Sequence, residues 1–393
     1  LSSKPDFVID AEQLYPGHGA PAERDRSVLI RDGRIDAVAD VGAFSGVARH
    51  KTAILAPGFI DIQINGAGDR QFNDTPDADS LAIMAKAAAR GGVAHIMPTF
   101  ITAMDKAYQA AMTAVGEATA KAAPGVLGLH LEGPFLSPEK PGIHPLAAVR
   151  PIDESDMALL EAKACYPRII TLAPEETSPD KIDRLAKAGW RVFVGHSAVS
   201  YDRLQDLKGH GLAGATHLFN AMPPLMGREP GPIGAVIDGT LPFAGLIADG
   251  MHVHPANLRM VFEHVGPDRI ALVTDAMLTL GGTVTAFDIG EKRVYLRDGR
   301  LCDETGRLGG AHLFMDEAVR NMIRFADAPV AAALAMAGST PARALGIDDE
   351  LGRIAPGYRA SLTLLDSALT ISATISDGIV LFKANDKYTA KEK

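Results

Sequence analysis

Cysteine is nearly absent: Cys165 and Cys302 are the only two in 393 residues. Two thiols build neither a disulfide framework nor a thiolate zinc cluster, and such scarcity suits a reducing compartment. Basic runs are also missing, and 39 Lys and Arg face 48 Asp and Glu for a formal net charge of −9. That balance argues against nucleic acid or an anionic membrane as partner and favours a small molecule. No stretch of eighteen apolar residues occurs. The opening Leu-Ser-Ser-Lys-Pro-Asp lacks the charged segment and apolar run of a secretory leader, so a soluble cytoplasmic protein is expected. The first strand-like run ends in Asp61-Ile-Gln-Ile-Asn-Gly66, which is not the glycine loop an open doubly wound sheet uses for phosphates or dinucleotides.

What the chain does have is apolar runs at regular intervals. They fall at 59–66, 93–100, 126–133, 168–174, 191–197, 212–218, 243–249 and 270–276, most followed by a helical pattern. Eight such units predict a closed (β/α)8 barrel, which alone takes about 250 residues. Helix ends are readable. Asp79 or Ser80 opens one helix that Gly91 stops, Ser178-Pro179 opens another that Gly189 stops, and His254-Pro255 opens a third. Before residue 58 the signals are β-like: Phe7–Asp10, then Val28–Val38 turning at Asp32-Gly33. They return in Gly352–Gly357, Ala360–Leu365 and Ile375–Phe382. The expected organisation is a small β-sandwich domain from residues 1–57 and 352–393 flanking a barrel over 58–351.

Four runs end in residues that carry chemistry: Glu132 in His130-Leu-Glu-Gly-Pro134, His196 in Gly195-His-Ser197, His217 in Thr216-His-Leu218 and Asp275 in Thr274-Asp-Ala276. In an α/β barrel all strand C-termini open on one face, so residues distant in sequence become neighbours there. A lone strand-end His is ordinarily a hydrogen-bonded core residue, but one carboxylate and two imidazoles together match an open catalytic metal site. Such a site lowers the pKa of water toward ~7, and Asp275 then has the position of the base that accepts its proton. Taken alone, Asp275 also reads as a helix cap or structural carboxylate.

These residues carry a likeness. Pro57-Gly-Phe-Ile-Asp61, the strand-end His and Asp, and Gly352-Arg-Ile-Ala-Pro-Gly357 resemble the amidohydrolase superfamily. His130–Pro134, Gly195–Ser197, Thr216–Met222, Gly227–Gly231, Ala248–His252 and Thr274–Ala276 resemble its N-acetylglucosamine-6-phosphate deacetylase family over nearly the whole chain. The resemblance implies a homodimeric, metal-dependent enzyme that hydrolyses the acetamide of N-acetyl-D-glucosamine 6-phosphate to glucosamine 6-phosphate and acetate. It implies Glu132, His196 and His217 as metal ligands, Asp275 as the catalytic aspartate and His144 as a contact to the acetamide. Substrate positions follow at Ile143, Asn220, Ala221, Arg228, His252, Leu308, Gly309 and Gly310, with Arg228 and His252 toward the phosphate and open to donation across the dimer.

One departure is informative. Many superfamily members carry His-x-His on the first strand and bind two metals, whereas this chain has Gln63-Ile-Asn65. Amides are poor ligands beside imidazole, which predicts one divalent ion per chain, Zn²⁺ being favoured by donor type, and leaves Gln63 for substrate or water; the alternative is that Gln63 and Asn65 still hold a weaker second metal. The same chemistry on the galacto epimer, a different amide, and a catalytically silent scaffold are the rivals; intact Glu132, His196, His217 and Asp275 oppose the last. Pro138–Pro145 and Met277–Gly282 read as mobile covers from their Gly and Pro content.

Overall fold

In the computed structural model, which describes residues 6–384, the eight apolar runs form one eight-stranded sheet in chain order. Its strands are β1 (Phe59–Ile64), β2 (Val93–Ile101), β3 (Leu129–Glu132), β4 (Arg168–Leu172), β5 (Trp190–Val194), β6 (Leu212–Ala215), β7 (Phe243–Leu246) and β8 (Ile270–Leu272). All neighbours within it pair in parallel. The barrel closes where the chain beyond β8 returns to β1. Asp275 N donates to Gln63 O at 2.9 Å, Asn65 N donates to Ala276 O at 2.8 Å, and Ile64 and Ala276 form a parallel bridge.

Successive side chains of a strand alternate, so β1 divides into two sets. Ile60, Ile62 and Ile64 join the main apolar core, while Asp61, Gln63 and, just past the strand, Asn65, each at most 2% exposed, bond to groups inside the barrel. Asp61 accepts the Gln63 and Thr274 N–H groups and the Thr274 hydroxyl, which laces β1 to the chain beyond β8.

Helix starts follow the local chemistry, with one correction. The helix expected to open at Asp79 or Ser80 runs Ala78–Ala88, and Asp77 caps it by accepting the Ser80 N–H at 2.8 Å. A carboxylate just before the helix reaches that free amide, whereas Asp79 already lies inside the first turn. Ser178-Pro179 opens Pro179–Lys187, and His254 caps Pro255–Val265 by accepting the Ala256 N–H.

The two ends of the chain share a seven-stranded sheet in the order Ile379–Lys383, Ile371–Ser376, Leu362–Leu365, Ala48–Pro57, Phe7–Leu14, Glu23–Arg31, Arg34–Asp40. Asp32 and Gly33 turn the expected hairpin with φ of 45° and 76°, the left-handed pair a two-residue turn needs. The sheet curls so that Phe7, Ile9, Val28 and Ile30 share a core with Leu362, Leu364 and Ile375. Residues 1–5 and 385–393, included in the β domain expected from sequence, lie outside the described residues. An antiparallel meander that the sequence reading did not anticipate, Ala286–Ile289, Lys292–Arg297 and Arg300–Cys302, follows β8. Its strands are only three to six residues long, too short for the alternation of Phe287 with Ile289 and of Val294 with Leu296 to stand out in the sequence.

A buried polar cluster docks the flanking sheet on the barrel. His95 of β2, 1% exposed, lies 2.8 Å from Ser361 Oγ, Ser361 donates to Asp377 at 3.0 Å, and Arg359 grips Asp377 with bonds of 2.8 and 2.6 Å. Burial outweighs the attraction of Asp377 and holds the His95 pKa below its ordinary value. A base kept neutral by the fold stabilises fully above its unfolded pKa of about 6.5 and progressively less as pH falls below it. Urea unfolding is therefore expected to show lower stability at pH 5 than at pH 7.5, and His95→Gln to shrink that difference. An unchanged difference would show that His95 takes no part in it.

Candidate active site

At three strand ends the backbone turns into the left-handed region: His196 (φ 48°), His217 (φ 29°) and Asp275 (φ 50°). Non-glycine residues rarely hold such angles unless the surrounding structure imposes them, and they cluster at functional sites. These side chains and Glu132 from the end of β3 converge on a cavity of about 450 Å³. That volume lies in the range of small-molecule sites.

Glu132 Oε1 lies 3.2 Å from His196 Nε2 and 3.0 Å from His217 Nε2, and the two Nε2 atoms are 3.1 Å apart. Ligands ~2.0 Å from one tetrahedral ion stand roughly 3.3 Å from each other, so the three donors are spaced to share a single divalent ion. Among the described residues this is the one group of three with such spacing. His196 Nδ1 lies 3.0 Å from the Lys140 carbonyl, which can only accept, so Nδ1 carries the hydrogen and Nε2 turns its lone pair to the centre. Burial favours a neutral Glu132, but the bonds and charge of His196 and His217 outweigh it and hold the carboxyl well below its usual range. Burial likewise opposes charge on His217, and its bond to the Glu132 carboxylate reverses the balance and raises its pKa.

Asp275 stands beside this trio. Burial, then the negative charge of Glu132, pushes its carboxyl up to about 6, against the pull of His217, His252 and the Asn65 bond. Gln63 Nε2 donates to both Glu132 oxygens at 3.2 Å and to Asp275 Oδ1 at 3.3 Å, and Asn65 Nδ2 donates to Asp275 Oδ1 at 2.7 Å. Both amides thus turn hydrogens toward the carboxylates, the opposite polarity to that of a metal ligand. His130 is a strut below the centre, its ring nitrogens 2.8 Å from Ile62 O and 2.7 Å from Thr171 Oγ1. Burial lowers its pKa to about 4.

Ile143, His144, Asn220, Ala221, His252, Leu308 and Gly310 all line the cavity. His144 Nδ1 lies 2.8 Å from Thr102 Oγ1, and its ring centroid is 4.2 Å from that of His196. Burial, then His196, keeps it well below the usual imidazole range. His252 is held by Asp249 through a 2.6 Å contact to Nδ1. At Gly310 (φ 67°) a Cβ would meet Met277 Cγ at 2.4 Å, so glycine is required for Leu308–Gly310 to approach Asp275. Three predicted residues are not in the wall. Gln63 and Gly309 lie outside it, Gly309 near Ile143, and Arg228 belongs to an exposed stretch with Leu225 and Met226.

The two supposed covers are tied down. Met277–Leu280 is buried and held by Asp69 N to Leu278 O, Gly68 N to Leu280 O and Met277 N to Ala311 O. Lys292 and Arg307, carried by and just beyond the meander, both donate to Gly142 O within 3.3 Å and so brace Pro138–Pro145. Gly and Pro content signalled loops but not their burial. Arg307, Lys140 and Asn65 also line the cavity without having been assigned there from sequence. Asn65 was visible in the Gln-x-Asn replacement; Arg307 carried no signal beyond its place before Leu308.

The model of the amidohydrolase family matches residues 54–383. An N-acetylgalactosamine-6-phosphate deacetylase of Shewanella sp. (strain ANA-3) is 37% identical over 86% of this chain and 85% of its own. An N-acetylglucosamine-6-phosphate deacetylase of Haemophilus influenzae is 35% identical over 82% of this chain and 85% of its own. The crystal structure of N-acetylglucosamine-6-phosphate deacetylase from Pasteurella multocida superposes with a TM-score of 0.90 at 32% identity, covering 95% of this chain and 99% of that one. The closed barrel, the Glu132, His196 and His217 trio and these likenesses agree: the chain belongs to the metal-dependent amidohydrolase family, in the branch that contains these amino-sugar phosphate deacetylases.

Proposed function

We propose that the protein hydrolyses the acetamide of N-acetyl-D-glucosamine 6-phosphate, giving D-glucosamine 6-phosphate and acetate. The observation that carries this reading is the Glu132, His196 and His217 trio with Asp275 beside it in the cavity. A divalent ion held by the trio, Zn²⁺ on donor type, supplies Lewis acidity toward the carbonyl and water of lowered pKa. Asp275, ionised above about pH 6, takes a proton from the attacking water and returns it to the departing nitrogen. His144, kept neutral, offers a hydrogen to the acetamide oxygen as negative charge builds there. Asn220, Ala221 and His252 hold the far end of the sugar, and Leu308 and Gly310 close the opposite approach.

Arg228 is exposed and outside the wall of its own cavity, which supports its donation to the phosphate of a second copy in a homodimer. Leu225 and Met226 beside it, 44% and 53% exposed, suit such a contact. Arg228→Ala is expected to raise KM for the phosphorylated substrate by roughly 10- to 100-fold with kcat little changed, the size of a lost charge-assisted contact. Steady-state kinetics check this; a loss confined to kcat contradicts it. The phosphate and the scarcity of cysteine favour a cytoplasmic reaction.

The galacto epimer is the second reading, favoured by the Shewanella relative, an N-acetylgalactosamine-6-phosphate deacetylase. Acetate release from the two epimeric phosphates and from unphosphorylated N-acetylglucosamine separates these readings. Preference for the phosphorylated gluco sugar supports the first, preference for the galacto sugar the second, and turnover of none of them overturns both.

A further inference from the structure

Asn65 sits on the inner face at the end of β1, is 2% exposed and lines the cavity. Its Nδ2 donates to Asp275 Oδ1 at 2.7 Å. A carboxylate only accepts, so the amide orientation is fixed: the hydrogens face Asp275 and the oxygen faces elsewhere. That oxygen is buried and meets no donor in the protein, although buried carbonyl oxygens nearly always find one. Because Oδ1 and Nδ2 belong to one planar amide, whatever donates to Oδ1 is brought alongside the Asp275 carboxylate.

We propose that Asn65 Oδ1 accepts the N–H of the substrate's acetamide. This rests on the deacetylase reading of the site. At the reacting centre the substrate's carbonyl oxygen can only accept, and the amide nitrogen carries the one hydrogen to be donated. Asp275 must reach that same nitrogen to protonate it, so the N–H necessarily passes close to Asn65. Held by Asn65, the nitrogen turns the lone pair released as amide resonance breaks toward the neighbouring Asp275, and Asn65 thereby contacts both the substrate and its proton donor.

The test compares the acetamide substrate with its O-acetyl analogue, in which oxygen replaces the amide nitrogen and no N–H exists. Asn65→Leu keeps the volume but removes both donor and acceptor. Loss of the Asp275 bond disturbs proton delivery, on which both leaving groups draw, whereas loss of the acceptor also weakens binding of the amide alone, so the binding comparison isolates the acceptor. The expected result is that kcat/KM for the amide falls about tenfold or more beyond any fall for the ester. The ester is also measured as a competitive inhibitor, so the comparison stands whether or not it is turned over; its inhibition constant should move less than the KM for the amide. Asn65→Asp retains an acceptor oxygen but repels Asp275, so it should lower both activities while keeping the wild-type ratio of amide to ester. Equal losses on both compounds in Asn65→Leu, or a loss that follows the metal content of the variant, overturns the proposal. Failure of the wild-type protein to cleave the amide at all would instead refute the deacetylase reading.

Discussion

Asp275→Asn is expected to lower turnover by roughly 10⁴-fold while the protein keeps its metal, the upper end of what a single acid–base group contributes. The substitution is nearly isosteric, and Asp275 is not one of the three donors whose atoms stand 3.0 to 3.2 Å apart. What disappears is the ability to take a proton and give it back. Asp275 must be ionised to begin, so wild-type kcat/KM should fall as pH drops through its pKa. The folded value is about 6, raised first by burial and then by Glu132, and positive charge in the trio can only lower it. The acid limb is therefore expected at or below about pH 6. Full activity in Asp275→Asn, or an acid limb well above 6, would remove Asp275 from its role.

Glu132→Gln is expected to abolish both metal retention and activity, the second large effect. Glu132 is the only anion of the trio, 2% exposed, and it receives two Gln63 contacts and stands against both imidazoles. Replacing it with an amide removes the charge that offsets the ion and leaves donors of the wrong kind facing it. Metal content after gel filtration should fall in step with acetate release. Retention of metal with lost activity would mean that Glu132 acts on the reaction rather than on the ion.

The contrast between these two variants rests on residues that were readable before any coordinates. Glu132, His196, His217 and Asp275 each end a short apolar run, and a barrel brings such ends to one face. The eight strands were readable for the same reason: runs buried on both faces are continuous, and Gly or Pro interrupts them abruptly. Side-chain direction was not. Gln63 was expected to contact substrate or water and Asn65 had no assigned contact, yet which way each amide points depends on carboxylates some 70 and 210 residues away in sequence. Arg228 looked like a phosphate contact from its motif, but exposure in its own chain is set by the path of the 224–228 stretch. Met277–Leu280 looked like a cover and is instead held beneath the site, because its backbone pairs with the 68–69 turn and with Ala311. Asp249 orients His252 from three residues upstream, a role that nothing local in the sequence announces.

The most direct measurement is acetate release from N-acetylglucosamine 6-phosphate by metal-depleted protein as a divalent ion is added back, with bound metal counted on the same samples. The rate is expected to rise in proportion to occupancy and to level off at about one ion per chain. Asp275→Asn should take up the same amount without releasing acetate. Undiminished activity in metal-depleted protein, or a rate that rises only as a second ion binds, would contradict a single centre built from Glu132, His196 and His217.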